Sequence, residues 1–141
     1  MIRFELVTLD GIKFGEEVHE VVLPTSDGYI AVFPDHAPLV SIAVPGVISV
    51  RRKSGDADSR LEYFATNGGV IEIGNNVVKV LVDEADREDE ISEQEAQQAF
   101  ERAQKLRTDA RDRVSIEHAQ ALVDRQASRL KVAELRRYKR R

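Results

Sequence analysis

At 141 residues, 42% hydrophobic and 33% charged, the chain has room for one domain or two small ones, and its balance excludes both a disordered and a membrane-spanning protein. The net charge of −4 conceals an asymmetry: residues 1–89 hold 8 Lys+Arg against 16 Asp+Glu, and residues 90–141 hold 13 against 9. With no Cys there is no disulfide framework, Cys-ligated zinc or thiol nucleophile.

The residues that break regular structure are equally one-sided. All eight Gly lie at or before Gly74 and all four Pro at or before Pro45. The first part is therefore read as strands cut by turns, and the second as uninterrupted helix. Ile2, Phe4 and Leu6 alternate with Arg3 and Glu5, the period of a half-buried strand. Further strand-like runs are expected at 18–23, 29–33, 39–44, 47–51, 61–66, 70–73 and 77–82. Turn signals separate them: Asp10-Gly11, Ser26-Asp27-Gly28, Pro45-Gly46, the polar stretch 54–59, Asn67-Gly68-Gly69 and Gly74-Asn75-Asn76. Strands at this spacing predict a sandwich or barrel rather than a βαβ fold. The division is a β-sandwich domain over residues 1–84, then an acidic linker and a helical hairpin over 85–141.

The linker run Asp83 to Glu90 is read as a solvated connector; it lacks the glycine that turns a calcium loop, so no metal site is assigned. Ser92-Glu93-Gln94-Glu95 matches a capping box and predicts a helix over about 93–107. Ala96, Ala99, Phe100, Ala103 and Leu106 form its apolar side. Residues 108–115 read as a turn, with Ser115 capping a second helix over about 116–137. That helix turns Ile116, Ala119, Leu122, Val123, Ala127, Leu130 and Ala133 to one side. An Ala-rich seam buries little area, so the antiparallel hairpin should need a surface to dock on and should leave it cheaply.

Catalytic chemistry is hard to find. His19, His36 and His118 have no metal-ligand spacing, and no Walker, Rossmann or nucleophile-elbow pattern occurs. Asn67-Gly68-Gly69-Val70 lacks the Gly-Lys-Ser/Thr ending of a phosphate loop and is read as a turn. No catalytic residue is assigned, and the chain is not expected to be an enzyme by itself. Arg125, Arg129, Arg136 and Arg140 fall within about 60° on an ideal helix. They can form a solvated cationic face, or a contact with an acidic partner or with nucleic acid.

Phe33-Pro34-Asp35-His36-Ala37-Pro38-Leu39-Val40, with Val44-Pro45-Gly46-Val47, resembles the Pro-Gly-His-Ala-Pro and Pro-Gly signatures of the ATP synthase epsilon subunit family. Asn67-Gly68-Gly69-Val70, Val77 to Asp83 and Arg129-Leu130-Lys131-Val132-Ala133 continue the likeness in order along the whole chain. Asp35 stands where the family has Gly, a change that a turn accepts because Asp tolerates unusual backbone angles.

The resemblance implies about ten strands in an antiparallel sandwich, followed by a two-helix hairpin. It implies a rotor subunit of the F1 central stalk that joins the gamma subunit to the c-ring of a proton-translocating complex. Ser26, Asp27, Gly28, Asp35, His36 and Ala37 would face the ring. The hairpin would either lie folded on the sandwich or extend toward the beta and alpha subunits, and when extended would restrain ATP hydrolysis through Arg125, Arg129, Arg136 and Arg140. Location would be peripheral, on the cytoplasmic face of a bacterial plasma membrane or the stromal face in a plastid, without membrane insertion. Some members bind ATP on the folded hairpin. Here Arg102, Arg125 and Arg129 remain of that motif, but Ser92, Glu95 and His118 depart from it. A carboxylate at Glu95 in place of a cation opposes phosphate, so ATP binding is expected to be weak or absent and no cofactor is assigned. The alternative is a basic-armed nucleic-acid-binding module.

Overall fold

The computed structural model describes residues 1–139; the predicted stripe residue Arg140 lies outside the described residues. Ten strands come first: β1 (Ile2–Thr8), β2 (Gly11–Val18), β3 (Glu20–Thr25), β4 (Gly28–Val32), β5 (Leu39–Ala43), β6 (Gly46–Arg51), β7 (Glu62–Thr66), β8 (Gly69–Gly74), β9 (Val77–Val82) and β10 (Ala85–Arg87). Helices α1 (Glu93–Asp109) and α2 (Arg113–Lys139) follow. The strands run in the order β10-β7-β6-β3-β5-β8-β9-β1-β2, with β4 on the other edge of β3. Strands β3 and β5 are paired only at Thr25↔Ala43, and there the sheet folds over into two layers. β1 and β9 run parallel; the other pairs are antiparallel.

Alternation puts Ile2, Phe4 and Leu6 of β1 between the layers, with Phe14, Val21, Leu23, Ile48, Val50, Phe64, Ile71, Val78 and Val80. Among the described residues, none beyond Ala85 belongs to this core. Two turns show why their residues are needed. Asn75 and Asn76 sit at φ 51° and 60°, the left-handed pair of a two-residue hairpin between β8 and β9. Gly69 passes so close to β9 that a Cβ there would stand 1.9 Å from the Leu81 carbonyl oxygen. Asp35 takes φ 64° as expected, and its amide donates to Asn76 Oδ1 at 3.0 Å.

Several expectations require correction. β2 is a strand that the residue pattern missed, because Phe14 and Val18 are its only fully buried side chains and a register shift at Leu6/Val7 breaks the alternation opposite it. The acidic connector is partly strand: β10 pairs with β7 through Ala85↔Thr66 to Arg87↔Phe64, with Ala85 turned inward. Ser92 caps α1 as predicted, accepting from the Glu95 amide at 3.4 Å. Ser115, however, does not cap α2. Asp112 does, accepting from the Ser115 amide at 2.8 Å and the Ser115 hydroxyl at 3.1 Å, and helix begins at Arg113. These bonds hold the Asp112 carboxyl below the usual range. A carboxylate accepts from free amides better than a hydroxyl that must also donate. Leu106 and Ile116, predicted on the inner faces, are exposed because the tip of the hairpin projects past the sandwich.

Candidate functional site

The hairpin rests on the outer face of β6 and β7. Val47, Tyr63 and Ala65 from those strands meet Ile91, Ala96, Val132 and Ala133 in a second, smaller core. Ala96, Ala103, Ala119, Val132 and Ala133 are the fully buried apolar side chains of the two helices, and their size lets α1 and α2 approach closely. Val132, fully buried, is not among the residues expected on the apolar side of the second helix. Ser128, also buried, donates to the Asp124 carbonyl one turn back at 3.0 Å.

Around this seat the predicted arginine stripe is neither bare nor wholly solvated. Arg125 Nη2 lies 2.6 Å from Glu84 Oε2, and Arg129 pairs with Asp86. Arg136 donates to the carbonyls of Glu88, at 2.5 Å, and Ile91, at 3.4 Å. Arg137 pairs with Glu93 at 2.6 Å, and Lys139 reaches Glu88 at 2.7 Å and the Leu61 carbonyl at 2.5 Å. Lys139 also sits 5.3 Å from the Tyr63 ring centroid. Burial, then the nearby Glu88 and Asp58 carboxylates, push the Tyr63 hydroxyl above its ordinary value. On the connector's other side Lys13 bonds Glu90 at 2.8 Å. Burial alone would raise the Glu90 carboxyl, but Lys13 and the Arg87 amide outweigh it and hold it below the usual range.

The acidic partners Glu84, Asp86 and Glu88 were missed, although a signal existed. They recur at every second position around the inward Ala85, which is strand spacing inside a run that looked like linker.

A cleft of about 460 Å³ between the helices is lined by Glu95, Ala96, Gln98, Ala99, Arg102, Arg125, Gln126 and Arg129. It brings together the three arginines of the nucleotide motif. It also places Glu95 among them, and two of the three already serve carboxylates. Ser92 is taken up by capping α1, and His118 is exposed on α2.

The predicted ring-facing residues are not brought together. Ser26, Asp27 and Gly28 form the exposed β3–β4 turn, where the Thr25 hydroxyl accepts from the Asp27 amide at 3.2 Å. Asp35, His36 and Ala37 lie beyond the opposite end of β4, tied to the β8–β9 turn through Asn76. His36 Nδ1 donates to the Ala37 carbonyl at 2.6 Å, which braces that loop.

The outer face of the second layer carries a feature that the sequence reading overlooked. Register aligns Ile42, Val70, Leu81, Val7 and Ile12 in one row across β5, β8, β9, β1 and β2. Four of the five are exposed, Ile12 at 73% and Ile42 at 62%. The adjoining row, Val40, Glu72, Lys79 and Glu5, is mostly charged. Adjacent apolar pairs such as Val70-Ile71 and Leu81-Val82 were the available signal, since apolar side chains on both faces of a strand imply a cover on both.

Fold and surface together define a two-part protein: a β-sandwich with an apolar outer row on one layer and a docked helical hairpin on the other. Residues 1–88 match the family model described as the β-sandwich domain of the ATP synthase delta/epsilon chain. The chain is similar to the ATP synthase epsilon chain of Moorella thermoacetica, 33% identical over 94% of this chain and 96% of the relative. It is 34% identical to that of Chloroflexus aggregans over 99% of this chain and 97% of the relative. It is 35% identical to the chloroplastic epsilon chain of Psilotum nudum over 74% of each. A chain in the mitochondrial ATP synthase of Euglena gracilis shares the fold with a TM-score of 0.79 and 21% identity, over 94% of this chain and 81% of that one. The protein belongs to the ATP synthase epsilon chain family, and it is a non-catalytic subunit of that complex rather than an enzyme on its own. Among the described residues no helix is long and apolar enough to cross a membrane.

Proposed function

We propose that the chain works as a rotor adaptor in the central stalk, its sandwich fixed between stalk and ring and its hairpin movable. The observation that carries this reading is the separation of the two cores: the interlayer core is complete by Ala85, and the hairpin adds a second patch on the outside. A part that contributes nothing to the interlayer core can leave it without unfolding it.

The exposed row from Ile42 to Ile12 is the surface we assign to the gamma subunit, because an apolar stripe on a sheet is stabilised by an apolar helix or strand laid across it. The ring contact is assigned to the end of the sandwich that bears Ser26, Asp27 and Gly28, whose turn is exposed throughout. Asp35, His36 and Ala37, at the other end of β4, are left out of that contact. Released from the sandwich, Arg125, Arg129 and Arg136 would meet acidic surface on the beta and alpha subunits and restrain ATP hydrolysis. Location follows the complex: peripheral, on the cytoplasmic or stromal side.

Deleting residues 90–141 should leave the complex assembled and raise its ATP hydrolysis. A truncated complex that hydrolyses no faster than the full one refutes the regulatory role.

ATP is a poor fit to the inter-helix cleft. Arg125 and Arg129 are engaged by Glu84 and Asp86, and Glu95 would repel a phosphate. Isothermal titration should give no binding tighter than about 10 µM, or roughly −7 kcal/mol. The nucleic-acid reading is disfavoured by the same pairs, because a phosphate backbone would have to displace carboxylates already in contact.

A further inference from the structure

The acidic connector and the basic stripe look like separate features in the sequence, yet they run alongside each other. Glu84 just before β10, Asp86 within it and Glu88 in the single turn after it alternate along the connector, while Arg125 and Arg129 stand one helical turn apart on α2. Two residues of extended chain advance about 6.6 Å and four residues of helix about 6 Å. The pairs Arg125–Glu84 and Arg129–Asp86 therefore fall into step. Past Arg87 the connector leaves strand geometry and the stepwise pairing ends, but Arg136 still bonds the Glu88 and Ile91 carbonyls, Arg137 pairs with Glu93, and Lys139 pairs with Glu88.

An isolated exposed ion pair is worth little. Here several stand side by side: Arg129–Asp86 and Lys139–Glu88 are partly shielded, at 22% and 27% and at 18% and 19% side-chain exposure, and Arg125–Glu84 is more open at 38% and 50%. The stripe also shares its face with the apolar seat. Arg129, Val132, Ala133 and Arg136 are spaced i, i+3, i+4 and i+7, so the arginines cannot be offered elsewhere while Val132 and Ala133 stay seated.

We infer that residues 84–93 act as an internal acidic competitor. In the docked hairpin they occupy the cations that an acidic protein segment would otherwise take, so the basic face is masked until the hairpin lifts as a unit. This rests on the reading of the hairpin as a movable arm, and it adds what holds the arm down: carboxylates of the same chain, balanced by ionic strength. Raising salt from about 0.1 to 1 M shortens the screening length from about 10 to 3 Å and should favour undocking.

The chain has no Cys, so a fluorescent pair can be placed at Ser54→Cys on the sandwich and Val114→Cys at the hairpin tip of the full chain. The near-isosteric triple variant Glu84→Gln, Asp86→Asn, Glu88→Gln should lift the hairpin at lower salt than the native sequence does. It should also bind a short poly-glutamate peptide at least tenfold more tightly. Adding Arg125→Gln and Arg129→Gln should remove that gain, which separates unmasking from general loosening. Unchanged energy transfer in the triple variant overturns the inference, as does unchanged peptide affinity. If the peptide is gained but the assembled complex hydrolyses ATP at the native rate, internal competition stands and the hydrolysis-restraining reading fails alone.

Discussion

The sandwich and the hairpin are held by different physics. Between the sheet layers, large side chains such as Phe4, Ile48 and Phe64 are sealed from water inside a network of strand hydrogen bonds. The hairpin buries mostly alanine, is seated by one small patch, and is ringed by charge pairs at its margin. Interlayer burial can be exchanged only for water, at a cost of about 25 cal/mol per Å². A charged, alanine-lined contact can be exchanged for another surface of matching chemistry at small net cost. One region is thus suited to carry load, and the other to change partners.

The comparison is tested hardest by Phe64→Ala. Phe64 is 1% exposed and meets Phe14 edge-on at 5.7 Å, so its truncation should cost the sandwich about 3–5 kcal/mol in urea unfolding. Val132→Asp puts a charge into the seat and should weaken docking by more than about 2 kcal/mol. Energy transfer between labels at Ser54→Cys on the sandwich and Val114→Cys on the hairpin would report that release, while the sandwich midpoint stays within about 0.5 kcal/mol of native. If Val132→Asp instead lowers the sandwich as Phe64→Ala does, the two regions form one cooperative unit and the comparison breaks.

The smallest effect concerns the connector between them. The folded state holds the Glu90 carboxyl below its ordinary value, so the Lys13–Glu90 pair contributes stability at neutral pH. That contribution is lost as pH falls from the ordinary carboxylate range through the lowered folded value. Hydrogen-exchange protection factors along residues 85–92, corrected for the intrinsic pH dependence of exchange, should therefore fall in mild acid, and Glu90→Gln should remove that pair's share of the fall.

Alternation at Ile2, Phe4 and Leu6, the Asn-Asn and Gly-Gly turns, and the helix start at Ser92 were legible because each depends on neighbours only a few residues away. The paired helices were legible too, since no Gly or Pro interrupts the chain after Gly74. What the sequence determined by itself was a turn-rich β part followed by a helical part, with cations gathered on one side of the second helix.

The tertiary structure decided everything that depends on what lies opposite. It made a strand of Ala85–Arg87 by giving it β7 as a partner, and it moved the α2 cap from Ser115 to Asp112. It aligned five apolar residues, distant along the chain, into one outer row, and it separated the two predicted ring-facing loops to opposite ends of β4. It also joined the arginine stripe to the acidic connector 41–48 positions away, a pairing set by strand order and helix placement rather than by any local preference.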